Sequence, residues 1–234
     1  MKIVIIQPSF LPWRGYFHLI KRSDIFVFYD DVQYDKNSWR NRNIIKTGNG
    51  SQWITVPVLA KNKFGQKINE VMINNCAGGI WRKKIWNAIC YSYSKAEYFN
   101  ESLPFLKDIF SKEWRSLSEL DIYAIIKICD LLGIRRKFYR SSELAVEGER
   151  VSRLIGICKK LGGTHYISGP SAKNYIMNDE DFTNNGIKLE FHNYDYPVYK
   201  QLYSDFIPNV SVIDLLFNCG KDSFRYIWNN EHDD

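Results

Sequence analysis

The chain has 234 residues, 45% of them hydrophobic and 25% charged, with a formal net charge of +6. Such values suit a globular fold with a substantial core and exclude disorder, collagen-like repetition and a disulfide-stapled miniature. The basic excess favours anionic ligands such as nucleotides or phosphates, and nothing beyond that charge points to nucleic acid.

Lys2 to Ile6 form a short apolar run rich in Ile and Val and predict a buried strand. Gln7 to Tyr16 hold two prolines and a glycine and read as a loop, after which Phe17 to Lys21 predict a helix. Ile25 to Tyr29 predict a second buried strand, closed by Asp30-Asp31. Strand, loop, helix and strand in this order make a βαβ unit with a parallel sheet. Ligands of such sheets sit at the carboxyl ends of the strands, which both the Gln7–Tyr16 loop and the acidic pair follow.

Residues 33–59 are polar and aromatic, with a strand expected over Trp53 to Val58. Trp81, Ile85, Ile89 and Tyr93 repeat at helical spacing, as does the stretch from Leu117 to Leu132, so a helical insertion is expected around 81–135. Gly133 suits its C-cap. A helix over 150–161 ends at Gly162-Gly163, and Thr164 to Ile167 predict a strand. Ser168-Gly169-Pro170-Ser171 is a turn into a short helix, Leu189 to His192 a last strand, and 211–217 the start of a C-terminal helix. The expectation is one α/β domain over 1–234, three-layered, with a mainly parallel Rossmann-like sheet and helical additions.

Aromatic residues reach 15%, with 7 Trp and 15 Tyr, and such rings fill cores or line concave sites for sugars and bases. Five cysteines, Cys76, Cys90, Cys129, Cys158 and Cys219, are scattered without a CxxC pair and read as reduced thiols. No apolar run approaches a membrane span and no signal-peptide core fits the start, so a soluble cytoplasmic protein is expected. No His/Cys spacing suits a metal, so no metal site is expected, and GxGxxG, P-loop and GxSxG motifs are absent.

Three clusters carry the candidate chemistry. In the first, Gln7, Trp13, Arg14, Gly15 and Tyr16 stand where a strand meets a helix N-terminus, whose free N–H groups and nearby arginine suit an anion. The alternative is a rigid turn with Trp13 and Tyr16 in the core. In the second, Asp30 or Asp31 can hold Mg²⁺ or take a proton, while Arg40 and Arg42 can clamp a diphosphate beside Trp39. Here the alternative is a solvated loop of mutual ion pairs. Adjacent residues of an extended chain face opposite ways, so one aspartate should meet the ligand and the other should be tied to the backbone or to an arginine such as Arg40 or Arg42. In the third, Ser168, Gly169 and Ser171 follow a strand and suit phosphate. His165 is the next acid–base candidate.

QPSFLPWRGYF, DDVQYDKNSWRNRN, WITVPV, YISGPSAKNYI and VSVIDLLFNCG together resemble the WbqC-like family over nearly the whole chain. That family is found in surface-polysaccharide (O-antigen) gene clusters. The resemblance implies transfer of an acyl or aminoacyl group to the amine of a nucleotide-linked amino sugar. Asp30 or Asp31 would then be the base, the arginines the diphosphate ligands, and Trp13, Tyr16 and Trp39 the sugar or base contacts. The opening segment and ISGPS are also similar, more distantly, to the nucleotidylyltransferase fold, with Trp13 and Tyr16 in place of that fold's two histidines. A nucleotidyltransferase, an ATP-dependent ligase and a non-catalytic partner of a glycosyltransferase are the alternatives. The residues name no cofactor.

Overall fold

The computed structural model describes residues 1–169, 172, 176, 179–203 and 205–228. Lys2–Ile6 (β1) and Ile25–Phe28 (β2) pair in parallel, with Ile3 opposite Ile25 and Ile6 opposite Phe28. Arg14–Arg22 (α1) crosses between them and begins three residues before the predicted helix. Arg42–Thr47 (β3) and Gly50–Thr55 (β4) form a separate antiparallel hairpin around Gly48-Asn49. The expected strand at Trp53 to Val58 is thus displaced toward the turn, and Pro57, which has no N–H to donate, stays outside the ladder. Three helices follow, Cys76–Tyr93 (α2), Phe99–Ser111 (α3) and Leu117–Leu131 (α4).

Lys137–Arg140 (β5), Arg150–Lys160 (α5), His165–Ser168 (β6), Glu180–Thr183 (α6), Lys188–Phe191 (β7) and Val212–Cys219 (α7) complete the α-helices and strands among the described residues. The five parallel strands lie in the order β5-β2-β1-β6-β7. Counted along the chain that order is 3-2-1-4-5, a doubly wound sheet. Its strands alternate between two cores, as a sheet covered on both faces requires. Val4, Phe26, Phe28 and Ile167 enter the larger core with α1, α4 and α7. Ile3, Ile5, Val27 and Tyr166 enter the smaller one with Leu154 and Ile157 of α5 and Phe182 of α6. The fold is therefore a three-layer α/β sandwich.

A buried polar network ties the chain's last third to the hairpin. Tyr93 and Tyr199 each donate a hydroxyl to the Asp214 carboxylate, at 2.9 and 2.7 Å. Tyr93 also accepts from the Lys46 backbone N–H, and the Lys46 ammonium donates to Gln201 and to the carbonyls of Tyr203 and Asp205. Asp214 is fully buried, which pushes its carboxyl up while the tyrosine hydroxyls pull it back.

All five cysteines are free thiols, and burial pushes those of Cys158 and Cys219 up to about 12. Among the described residues no helix is long and apolar enough to cross a membrane.

Candidate functional site

The chain leaves β1 toward one edge of the sheet and β6 toward the other, which opens a crevice at their carboxyl ends. A cavity of about 650 Å³ lies there. Gln7 follows β1, Ser168 and Gly169 end β6, Tyr29 follows β2, and Arg150 opens α5; all line this switch-point cavity. A second cavity, of about 630 Å³, has walls of Trp13, Tyr16, Trp39, Trp53 and Tyr196 and polar points at Ser9, Asn43 and Asn209. Ile6, Arg40 and Gly169 line both, so the switch-point and the aromatic cavities meet at these residues.

The junction is held from several elements. Arg40 donates through Nη1 to the Gln7 side chain, and the Tyr16 hydroxyl donates to the Gln7 carbonyl at 3.2 Å. Asn43 donates to the carbonyls of Phe10 and Leu11, which fixes the loop where Leu11 takes φ +41°. Arg40 leaves Nε buried without an acceptor among the described residues. At Gly169 a Cβ would meet no heavy atom within 4 Å among the described residues.

The aromatic wall is built by mutual contact. Trp13 stacks on Tyr196 with centroids 5.4 Å apart, and Trp39 lies 5.2 Å from Trp53. Trp39 and Trp53 each keep 45% of their surface exposed, so the platform is open to a ligand. Arg42 packs against this wall: its guanidinium lies 4.2 Å over the Trp53 ring.

Several expected ligand contacts have other places. Arg14 is 2% exposed and turns into the protein, where Tyr194, Tyr196, Tyr199 and Phe206 enclose its guanidinium. It donates to the Pro197 carbonyl and lines neither cavity. Gly15 makes room for Trp13, whose ring would stand 1.8 Å from an added Cβ. Ser168 lines the switch-point cavity, but its hydroxyl bonds the Tyr166 hydroxyl. Ser171 lies outside the described residues.

The acidic pair is engaged at both members. Asp30 is fully buried and accepts from the Ser142 N–H and hydroxyl, at 3.1 and 3.0 Å. The Ser141 hydroxyl sits between the Asp30 and Asp31 carboxylates. Asp31 pairs with Arg153 of α5, not with Arg40 or Arg42. Neither aspartate lines either cavity. Both instead fasten the end of β2 to the turn after β5 and to the first turns of α5. His165 opens β6 opposite Lys2 of β1, at the amino end of the sheet, and lines neither cavity.

Sequence reasoning missed Arg150, Trp53, Tyr196 and, behind the junction, Asp121. Asp121 is fully buried on α4 among Leu117, Leu120, Ala124 and Ile125, and neither carboxylate oxygen has a hydrogen-bond partner among the described residues. The visible signal is an acid on the apolar face of an otherwise Leu/Ile-rich helix. Burial holds its carboxyl well above the usual range, and the charge of Arg40 opposes this. Burial likewise raises the Tyr16 phenol well above 10 and that of Tyr34 to about 12, with Asp121 adding to both. Desolvation lowers Arg40, while Tyr16 and Asp121 oppose that.

A raised carboxyl makes folding take up a proton above the unfolded-state pKa of about 3.9. Its stability cost is therefore absent at lower pH, grows as pH rises, and levels off above the folded-state pKa. Asp121→Asn, which mimics the neutral acid, is expected to raise Tm at pH 7, with the gain vanishing toward pH 4. Tm measured from pH 4 to 8 checks this, and a gain equal at every pH contradicts it.

The fold defines an open α/β protein with two adjoining cavities at the switch point of its sheet. The chain belongs to the WbqC-like protein family, whose model matches residues 7–226. It is 42% identical over 228 residues to an uncharacterized protein of Mycobacterium tuberculosis, covering 97% of each chain. No solved structure matches the chain.

Proposed function

We propose that the protein binds a nucleotide-linked amino sugar across the two joined cavities and transfers an acyl or aminoacyl group to the sugar amine. The pathway we assign is surface-polysaccharide (O-antigen) biosynthesis, in keeping with membership of the WbqC-like family. One observation carries the reading: a cavity at the switch point, lined by Gln7, Arg40 and Arg150 among apolar residues, and an aromatic cavity share Arg40 and Gly169. A nucleotide sugar has the matching order of parts, with its diphosphate between a nucleoside and a pyranose. Arg40 would offset the diphosphate charge, and Gly169 would let it approach the backbone. Trp13, Trp39 and Trp53 offer flat apolar faces for the sugar, with Asn43 and Asn209 nearby to meet polar groups. The net charge of +6 favours an anionic ligand of this kind.

Calorimetric titration with a nucleotide-linked amino sugar, the nucleoside diphosphate and the free amino sugar tests the binding. The intact nucleotide sugar is expected to bind at least tenfold more tightly than either fragment. Equal affinity for sugar nucleotide and nucleoside diphosphate removes the aromatic cavity from the reading, and no binding of either removes the reading. Mass spectrometry with thioester and aminoacyl donors then tests the transfer. Release of pyrophosphate from a nucleoside triphosphate would instead assign a nucleotidyltransferase or ligase.

A further inference from the structure

Arg150 opens α5 in the left-handed region, at φ +46°, where a non-glycine side chain is strained. Nothing in the packing accounts for an arginine there. Its side chain is exposed and makes no hydrogen bond or ion pair among the described residues, yet it lines the switch-point cavity with Arg40. The neighbouring charge at this helix start is neutralised, because Arg153 is spent on Asp31 and on the Val146 carbonyl. The charge of Arg150 has no such partner. Arg40 reaches the same cavity with one nitrogen used on Gln7 and Nε buried without an acceptor. The lining of the cavity therefore includes two arginines from separate elements, together with Gly169.

We propose that Arg150 is the second cationic arm of this cavity and, with Arg40, binds the diphosphate of the ligand. The inference rests on the reading of that ligand as a nucleotide-linked sugar and adds the residue that recognises its charge. It also gives the acidic pair a purpose. Asp31 holds Arg153, one helical turn after Arg150, and Asp30 holds the turn after β5; together they set where Arg150 stands. Asp31 is on this account a positioning residue.

Titration calorimetry with inorganic pyrophosphate, UDP and uridine, on the wild type and on Arg150→Asn and Arg150→Gly, tests the inference. Asn and Gly both accept positive φ, so Tm should be unchanged or higher. Loss of a charge-assisted contact should weaken pyrophosphate and UDP about 10–100-fold and leave uridine unchanged. Arg150→Lys should fall between, since it keeps the charge and loses the fork. Unchanged pyrophosphate affinity in both the Asn and Gly variants overturns the proposal, as does a wild type that binds no pyrophosphate. The two readings fail separately. Nucleotide-sugar binding that is indifferent to Arg150 ends this inference alone. Arginine-dependent pyrophosphate binding without nucleotide-sugar binding ends the proposed substrate and keeps the anion site.

Discussion

Arg40→Ala is expected to weaken nucleotide-sugar binding by about 10²–10³-fold, the largest loss of any single substitution at the site. Arg40 lines both cavities, so its removal takes the cation from the point where the two halves of the ligand join. Two charge-assisted hydrogen bonds toward the lower end of their usual strength, about 1.5–2 kcal/mol each, correspond to that range. The Gln7 side chain loses its partner as well, although a side chain beside an open cavity can be met by water. Arg40→Lys should recover part of the loss. Gln7→Ala should cost less than Arg40→Ala, because it frees the guanidinium without removing it. Calorimetry on the three variants checks this, and an Arg40→Ala loss under threefold places the anion elsewhere.

The second large effect is on stability. Asp214→Ala leaves the Tyr93 and Tyr199 hydroxyls buried without their acceptor, while Asn218 loses a 3.3 Å contact to the carboxylate and keeps its bond to the Asp214 carbonyl. Each orphaned buried group costs about 1–3 kcal/mol, so a total of about 3–5 kcal/mol is expected. For a chain of this size that lowers Tm by roughly 6–20 °C. Asp214→Asn keeps one acceptor oxygen and should cost about half as much. The network also joins Lys46 of the hairpin to Gln201 and the carbonyls of Tyr203 and Asp205. Hydrogen exchange in 196–207 should therefore rise together with exchange in β3. A loss confined to α7 would show that the network does not couple the two segments.

Much of the sheet was legible because its strands are short, apolar and β-branched. β1 matched its predicted limits, and β2, β6 and β7 lay within a residue of theirs. The hairpin was harder. Its first strand, Arg-Asn-Ile-Ile-Lys-Thr, has charged and amide residues whose places are set by partners such as Phe10 and Tyr93, not by alternation. β5 was missed for a related reason, since four edge residues with charged ends carry no core pattern. The acidic pair was conspicuous in the sequence and misleading in it. A carboxylate at a strand end looks the same whether it awaits a ligand or is already bonded.

The sequence by itself determined the parallel α/β class and the rim of the sheet. Hydrophobic runs of the right length have one low-energy use, and a loop directly after a strand must lie at that strand's carboxyl end. Gln7, Ser168 and Gly169 were found at the switch point for that reason. Only the tertiary structure decided which polar groups remain available there. Asp30 and Asp31 are occupied by Ser142 and Arg153, 112 and 122 residues away, and these partners arrive only because β5 pairs with β2 and α5 starts beside them. Arg150 and Arg40 likewise stand far apart in the chain and share a cavity only after folding. A hydrogen bond satisfies a carboxylate regardless of sequence separation, so the groups left for chemistry can be counted only once every long-range contact is in place.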